Sequence, residues 1–530
     1  MHMEKEKAKI GFVSLGCSKN QVNTERMMYL VREAGYQIVP EDIDADVMVI
    51  NTCAFIESAK KESIDNILDV AWLKENRNLK AIVVTGCLGE RYREQILEQM
   101  PEVDAVLGTG SYEKIVAAIG KVLEKKTYTS FEDKNVCEMG GNRILTDRSY
   151  SAYLKIGEGC NNRCTYCAIP LIRGVYRSRP MEELVKEAQW LEEQGVREIN
   201  LIAQDTSGYG VDLYGGYRLA ELIHKITEAT EKVYIRVLYC YPDKITDELI
   251  REFRDNERLL KYIDLPIQHI SDRVLKAMNR HGNQKQIRET IARLRREVPD
   301  ITIRSTGIVG FPGETEEDFE EFCAFLKEVR FDRFGAFAYS REEDTPAYDF
   351  ENQVDEQTKQ DRLDRLMAIQ MEISAEKAGE QIGKNLEVLV EGYDPVSEAY
   401  YGRSRADAPD IDGKVFIRAP KGAYREGEFA RVQITESMDY DLVREPVCEK
   451  GGSWSEPTEQ IDRGADLHDP AVYGLPAGSF FFWRRGRNGM PGGGGVFVLS
   501  GGHHRPPGRK NCKKTAVGYR FRQIFRPVSR

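Results

Sequence analysis

Over the first 123 residues, short unbroken apolar runs alternate with longer segments in which apolar positions recur every three or four residues. The runs Ile10–Leu15, Val47–Ile50, Ala81–Val84 and Ala105–Leu107 are too short for helices and lack polar alternation, the pattern of strands buried on both faces. Between and after them the spacing predicts helices over Thr24–Ala34, Glu57–Leu73, Glu90–Gln99 and Tyr112–Leu123. Residues 124–148 are polar and read as a linker.

Regular strand–helix alternation requires a parallel sheet covered by helices, so residues 8–123 are expected to form an open α/β sheet of flavodoxin-like kind. A second alternation fills residues 149–380, with strand candidates Ala152–Ile156, Glu198–Ala203, Val233–Leu238, Tyr262–Pro266, Thr302–Val309 and Phe334–Tyr339. Intervening helices such as Met181–Glu193, with Leu184, Val185, Ala188 and Leu191 on one stripe, make this a (βα)6 partial barrel that works at its strand C-terminal edge. A long helix from Asp355 to Gly379 leads out of it. Residues 381–445 then change to short strands, Leu386–Val390, Lys414–Ile417 and Phe429–Ile434, with turns at Gly392, Gly413 and Gly427, which predicts a small antiparallel barrel. Residues 446–530 hold 15 glycines and no sustained period, and read as an out-of-frame or fused extension, with a disordered basic arm as the alternative.

A chain of 530 residues holds about three or four domains and buries ample core without disulfides. Its first residues, Met1-His2-Met3-Glu4-Lys5-Glu6-Lys7, are charged, and no apolar run nears the ~18 residues of a membrane span, so no signal peptide or membrane contact is expected. A cytoplasmic protein with reduced thiols is the expectation. The net charge of −10 hides an asymmetry, since residues 1–445 carry −18. Such an acidic body disfavours naked nucleic acid and steers basic proteins toward itself.

Six of the eleven cysteines fall into two sets of three. Cys160, Cys164 and Cys167 form a compact C-x3-C-x2-C clip behind Gly157-Glu158-Gly159. Three thiolates on one loop can hold three irons of a [4Fe–4S] cluster and leave the fourth open to a substrate. Zinc is the rival, although structural zinc takes four ligands and no fourth Cys or His stands nearby. Cys17, Cys53 and Cys87 are dispersed, each closing one of the first three strand candidates. Parallel strands end at one sheet edge, so these thiols can converge as a second three-thiolate cluster site. Any one strand-end cysteine is more often a small buried hydrophobe. The other five, Cys137, Cys240, Cys323, Cys448 and Cys512, match neither pattern, and Cys323 falls on an apolar helix face and reads as core.

The clip resembles the signature loop of the radical SAM superfamily, and Gly307-Ile308-Val309-Gly310-Phe311-Pro312-Gly313-Glu314-Thr315 resembles its glycine motif beside the adenine. A Gly-x-x-Gly turn leading into the helix Glu316–Val329 reads equally well as structural. A three-cysteine domain before the barrel and a small terminal barrel after it, the TRAM domain, are similar to the methylthiotransferases. Ser14–Asn20, Asn51–Ile64, Ala203–Gly210 and Gly402–Gly413 resemble the RimO branch in particular, with departures at Ser18, where proline is common, and Tyr166, where Phe is. The resemblance implies two [4Fe–4S] clusters, on Cys17, Cys53 and Cys87 and on Cys160, Cys164 and Cys167. It also implies S-adenosylmethionine as cofactor, with Tyr166, Gln204, Asp205, Gly310, Gly313 and Glu314 near it. One S-adenosylmethionine is expected to donate a methyl group to sulfur on the N-terminal cluster, and a second to give the radical that takes hydrogen from the substrate.

The implied reaction is methylthiolation of the β-carbon of an aspartate in the basic small-subunit ribosomal protein numbered twelve, with an electron donor such as flavodoxin or ferredoxin and a sulfur donor. The tRNA-modifying MiaB branch shares both cysteine sets, and an iron–sulfur carrier is a third reading. Residues 381–445 carry 9 Lys+Arg against 13 Asp+Glu, which favours a basic protein over RNA. Tyr400 and Tyr401 offer stacking surfaces for bases, although exposed strand tyrosines are commonplace.

Overall fold

The computed structural model describes residues 8–40, 42–146 and 149–444, so the tail reading for 446–530, with Cys448, lies outside the described residues. The first sheet is built from β1 (Lys9–Ser14), β2 (Gln37–Ile38), β3 (Val47–Thr52), β4 (Ala81–Gly86), β5 (Ala105–Leu107) and β6 (Tyr128–Ser130). All its pairs are parallel, in the order β2-β1-β3-β4-β5-β6. The order reverses between β1 and β3, which opens a crevice at their carboxyl ends. β3 and β4 are buried throughout, as their unbroken apolar runs require.

Three expectations for this unit are corrected. The stretch 124–148 is not all linker, because β6 pairs with β5 as the last strand of the sheet. Helix α1 (Ser18–Glu33) begins six residues before the expected Thr24, since Lys19, Asn20 and Asn23 are polar yet turned inward. The helix predicted over Glu90–Gln99 is two short ones, α3 (Cys87–Tyr92) and α4 (Gln95–Gln99), interrupted where Arg93 takes a left-handed φ of 44°. The remaining helices, α2 (Glu57–Asn76) and α5 (Ile115–Leu123), cover the sheet as expected.

The second sheet starts with β7 (Ser151–Lys155), followed by a short hairpin pair, β8 (Gly157–Glu158) and β9 (Arg177–Ser178). β10 (Glu198–Ile202), β11 (Tyr234–Val237), β12 (Leu259–Asp264), β13 (Thr302–Val309) and β14 (Arg333–Ala338) complete it in the order β14-β13-β12-β11-β10-β7. Every neighbouring pair is parallel, giving six strands of an open barrel. Its outer core includes Leu184, Ala188, Leu191 and Cys323, the last as expected.

The third sheet joins β15 (Asn385–Asp394), β16 (Ala399–Ser404), β17 (Val415–Arg418), β18 (Phe429–Gln433), β19 (Glu436–Ser437) and β20 (Leu442–Arg444) around Val388, Val390, Ile417 and Val432. It is antiparallel except for β17 and β20, which run parallel and so correct the all-antiparallel expectation. Gly392 is not a turn but a register break inside β15, where an added Cβ would fall 2.6 Å from the Tyr401 hydroxyl. Tyr400 is buried rather than exposed.

The segment Ser404–Asp412 lies against the inner face of the barrel sheet. Asp407 accepts from Arg333 Nη2 at 2.5 Å, and Asp412 accepts from the Tyr262 hydroxyl at 2.6 Å. Ala408 is fully buried in one cluster with Tyr153, Ile202, Leu238 and Tyr262 of the barrel and Val22 of α1. Beside it, Glu198 accepts from Arg403 Nη1 at 3.0 Å and from Arg236 Nε at 3.3 Å, while Arg403 also reaches Glu391 at 2.7 Å. Burial opposes ionisation of Glu198, but the two guanidiniums outweigh it and bring its pKa down to about 2.

Removing this carboxylate would leave two buried guanidiniums under-compensated, so Glu198→Gln should lower unfolding stability by about 3–5 kcal/mol. Because the folded pKa lies below the ordinary value of 4.5, the wild-type advantage should be full above pH ~5 and fade as pH falls toward 2. Urea unfolding of the full chain at pH 7 and pH 3 checks both, and equal midpoints for the two proteins at pH 7 would refute the role.

Candidate functional site

Each thiol of the dispersed set stands at or just beyond the end of a strand. Gly16 turns the chain out of β1 with φ 87°, and a Cβ there would lie 2.9 Å from Cys53 Sγ, so glycine is required for Cys17 and Cys53 to approach. Cys17 caps α1, its carbonyl accepting from Asn20 N and Gln21 N, and it is the exposed member of the set. Cys53 and Cys87 are buried. Asn20 donates to the carbonyls of Leu15 and Thr52 at 2.9 and 2.8 Å, and Asn51 donates to the carbonyl of Asn20 at 2.9 Å, which ties the strand ends together. Burial pushes the Cys53 thiol well above its ordinary value, and Cys87 and Cys17 push it further. Burial also raises Cys87, with Arg173 pulling the other way.

The compact set lies on the loop after β8. Gly159, with φ 80°, crosses the 174–175 backbone so closely that a Cβ would meet the Val175 carbonyl at 2.1 Å. Cys160 N donates to Gly174 O at 3.1 Å and Cys167 N to Cys164 O at 3.0 Å, which curls the loop around its thiols. Asn162 Nδ2 sits 3.3 Å from Cys160 Sγ, and the Tyr241 hydroxyl lies 3.6 Å from Cys164 Sγ. Arg280 reaches within 3.9 Å of Cys164 Sγ while stacked 4.1 Å above the Tyr241 ring. Burial pushes the thiols of Cys160 and Cys167 up, and the neighbouring Cys164 raises each further.

Between the two sets runs a buried polar chain without any motif to announce it. Arg173 closes helix α6 (Ile169–Arg173), which begins two residues after Cys167. Its Nη2 hydrogen-bonds Asn20 Oδ1 and lies 3.3 Å from Cys87 Sγ, and its Nη1 is 3.6 Å from Glu158 Oε2. Glu158 also accepts from Lys155 Nζ at 2.8 Å and from Gln204 Nε2 at 2.6 Å, and Lys155 donates on to Asn23 of α1 at 2.5 Å. Burial lowers the ammonium pKa of Lys155.

The other residues expected near the cofactor are spread unevenly around this chain. Gln204 belongs to it, with a buried Oε1 that has no protein partner. Tyr166 packs beside Phe311 and Met278. Asp205 is taken by the clip itself, accepting from Asn162 at 2.8 Å and from Lys244. Glu314 accepts from Gly310 N at 2.9 Å and from Arg362 at 2.9 Å, bracing the glycine turn. Gly310 and Gly313 both have positive φ, and the space beside Gly310 is filled by the Lys359 stem. Gly307 makes room for Phe322 and Phe334.

The donor sets fit iron–sulfur clusters. Each offers three soft thiols, the donor type that such clusters take. No helix among the described residues is long and apolar enough to cross a membrane.

Comparison with known proteins divides the chain in the same way. Residues 9–108 match the uncharacterized protein family UPF0004, residues 154–326 the Radical SAM superfamily, and residues 382–447 the TRAM domain. In the radical S-adenosylmethionine methyltransferase TsrM from Kitasatospora setae, solved with cobalamin and a [4Fe–4S] cluster bound, 74% of that chain aligns with 64% of this one, at 12% identity and a TM-score of 0.48. The ribosomal protein uS12 methylthiotransferase RimO of Thermoanaerobacter sp. (strain X514) is 48% identical over 437 residues, 82% of this chain and 99% of that one. The protein of the same name from Clostridioides difficile (strain 630) is 47% identical over 443 residues, 83% and 99% of the two chains. With nearly the whole length of these relatives matched at close to half identity, the chain belongs to the ribosomal protein uS12 methylthiotransferase RimO family.

Proposed function

We propose that this protein is a radical SAM methylthiotransferase that places a methylthio group on the β-carbon of an aspartate in ribosomal protein uS12. The observation that carries the reading is the pairing of two three-thiol sets at the carboxyl edges of two parallel sheets, joined by a buried polar chain through Arg173 and Glu158. Cys160, Cys164 and Cys167 would hold one [4Fe–4S] cluster and Cys17, Cys53 and Cys87 the other, each with one iron free of protein ligands. Bound there, the first would supply the electron that cleaves S-adenosylmethionine, and the second would carry the sulfur that is methylated and passed to the substrate.

The chain's own residues orient and insulate. Asn162, Tyr241 and Arg280 fix the clip, and Gln204 offers an unpaired buried oxygen at the end of β10, where a cofactor's amino group can be received. Tyr166, Gly310 and Gly313 would line the nucleoside end, while Asp205 and Glu314 support the walls through their protein partners. A low-potential one-electron donor and a sulfur donor complete the requirements. The acidic body suits a basic ribosomal protein, although Asp407 and Asp412 face inward to Arg333 and Arg304, so part of the terminal domain's acidity is internal.

Replacing Cys160, Cys164 and Cys167 with Ala should roughly halve the bound iron and abolish 5′-deoxyadenosine formation. Iron content that stays unchanged would remove the assignment. The corresponding triple variant of Cys17, Cys53 and Cys87 should still cleave S-adenosylmethionine yet yield no methylthio product, and a surviving product would make that site structural or electron-relaying. Mass spectrometry after parallel incubations should find the added methylthio mass on the aspartate of uS12 and none on tRNA. The reverse distribution would favour the tRNA reading.

A further inference from the structure

Arg173 is a charged side chain from the barrel lodged against the thiols of the other domain. It is 2% exposed, its Nη2 lies 3.3 Å from Cys87 Sγ and bonds Asn20 Oδ1, and its Nη1 stands 3.6 Å from Glu158 Oε2. Asn20 in turn braces the Leu15 and Thr52 carbonyls, next to Cys17 and Cys53. The backbone from Cys167 to Arg173 is short and includes helix α6, so the cation belongs to the loop of one thiol set while it touches the other. In so dry a place a fixed positive charge acts with little screening.

We propose that Arg173 is a positioning residue that sets the reduction potential of the N-terminal cluster and couples it to the barrel loop. This rests on the assignment of Cys17, Cys53 and Cys87 as ligands of that cluster. On reduction the cluster gains one electron, supplied by a low-potential one-electron reductant, and no bond is made or broken. A cation at the Cys87 sulfur stabilises the more negative, reduced form, and charge and hydrogen bonds at the sulfurs are among the factors that set such potentials. Glu158 partly offsets that cation, so the two residues act with opposite sign.

The experiment uses the full chain with Cys160, Cys164 and Cys167 changed to Ala, reconstituted with iron and sulfide, so that only the N-terminal cluster is present. Its midpoint potential is then read by dithionite titration followed by electron paramagnetic resonance. Adding Arg173→Gln should move the potential to more negative values, Arg173→Lys should restore most of the shift, and Glu158→Gln should move it to more positive values. Potentials that stay at the parent value in all three, or that shift alike for Gln and Lys, would overturn the proposal and leave Arg173 as a strut. Should Arg173→Gln not hold its cluster, the sign of the Glu158→Gln shift decides alone, a positive shift supporting the proposal and any other result opposing it. Absence of iron in the parent triple variant would instead overturn the ligand assignment, so the two failures are distinct.

Discussion

Charges paired across domain boundaries hold this molecule in one arrangement. Glu25 of α1 receives Arg143 Nη1 at 2.5 Å beside the start of the barrel, Glu342 beyond β14 receives Arg91 of α3 at 2.7 Å, and Glu198 of the barrel receives Arg403 of the terminal domain. All are buried. An ion pair of this kind returns little net stability over apolar packing, because both partners lose their hydration. What it does supply is intolerance of misfit, since a shift that parts the pair leaves a bare charge in a dry interface. Among these cross-domain contacts, that of Arg173 with Asn20 and Cys87 lies at a thiol of the dispersed set.

This explains why the site is built on strand ends and short turns. The Gly16 and Gly159 turns allow backbone or sulfur to come where a side chain would block it. Asn20 and Asn51 then bind the strand ends together through main-chain carbonyls. Rigid support at this level is what a reaction between two separately held groups needs.

The sheets were legible in the sequence because burial on both faces leaves an unbroken apolar run, and the six thiols because their spacing is local or repeats at the same place in successive strands. Signals that depend on distant contact were not legible. β2 and β6, of two and three residues, have no pattern of their own and exist through the neighbours they pair with. The inward Lys19, Asn20 and Asn23 hid the first turns of α1, and the left-handed Arg93 split a helix whose periodicity continues across it. Arg173 is a single arginine in an ordinary stretch, and only the approach of another domain gives it meaning. Asp407 and Asp412 could be seen as part of a motif, but not that their partners are barrel arginines 74 or more residues earlier.

The plug of Ser404–Asp412 inside the barrel has a consequence for how the chain is made. Arg333 is synthesised 74 residues before Asp407, and Glu198 205 residues before Arg403. At elongation rates of about 5–20 residues per second the shorter gap is on the order of ten seconds. During that interval Arg333 of the nascent barrel is without Asp407, and Ala408 has not filled the lumen. Its last packing step therefore waits for the terminal domain to leave the ribosome, so residues 404–412 act as the closing piece of a barrel whose strands were finished long before.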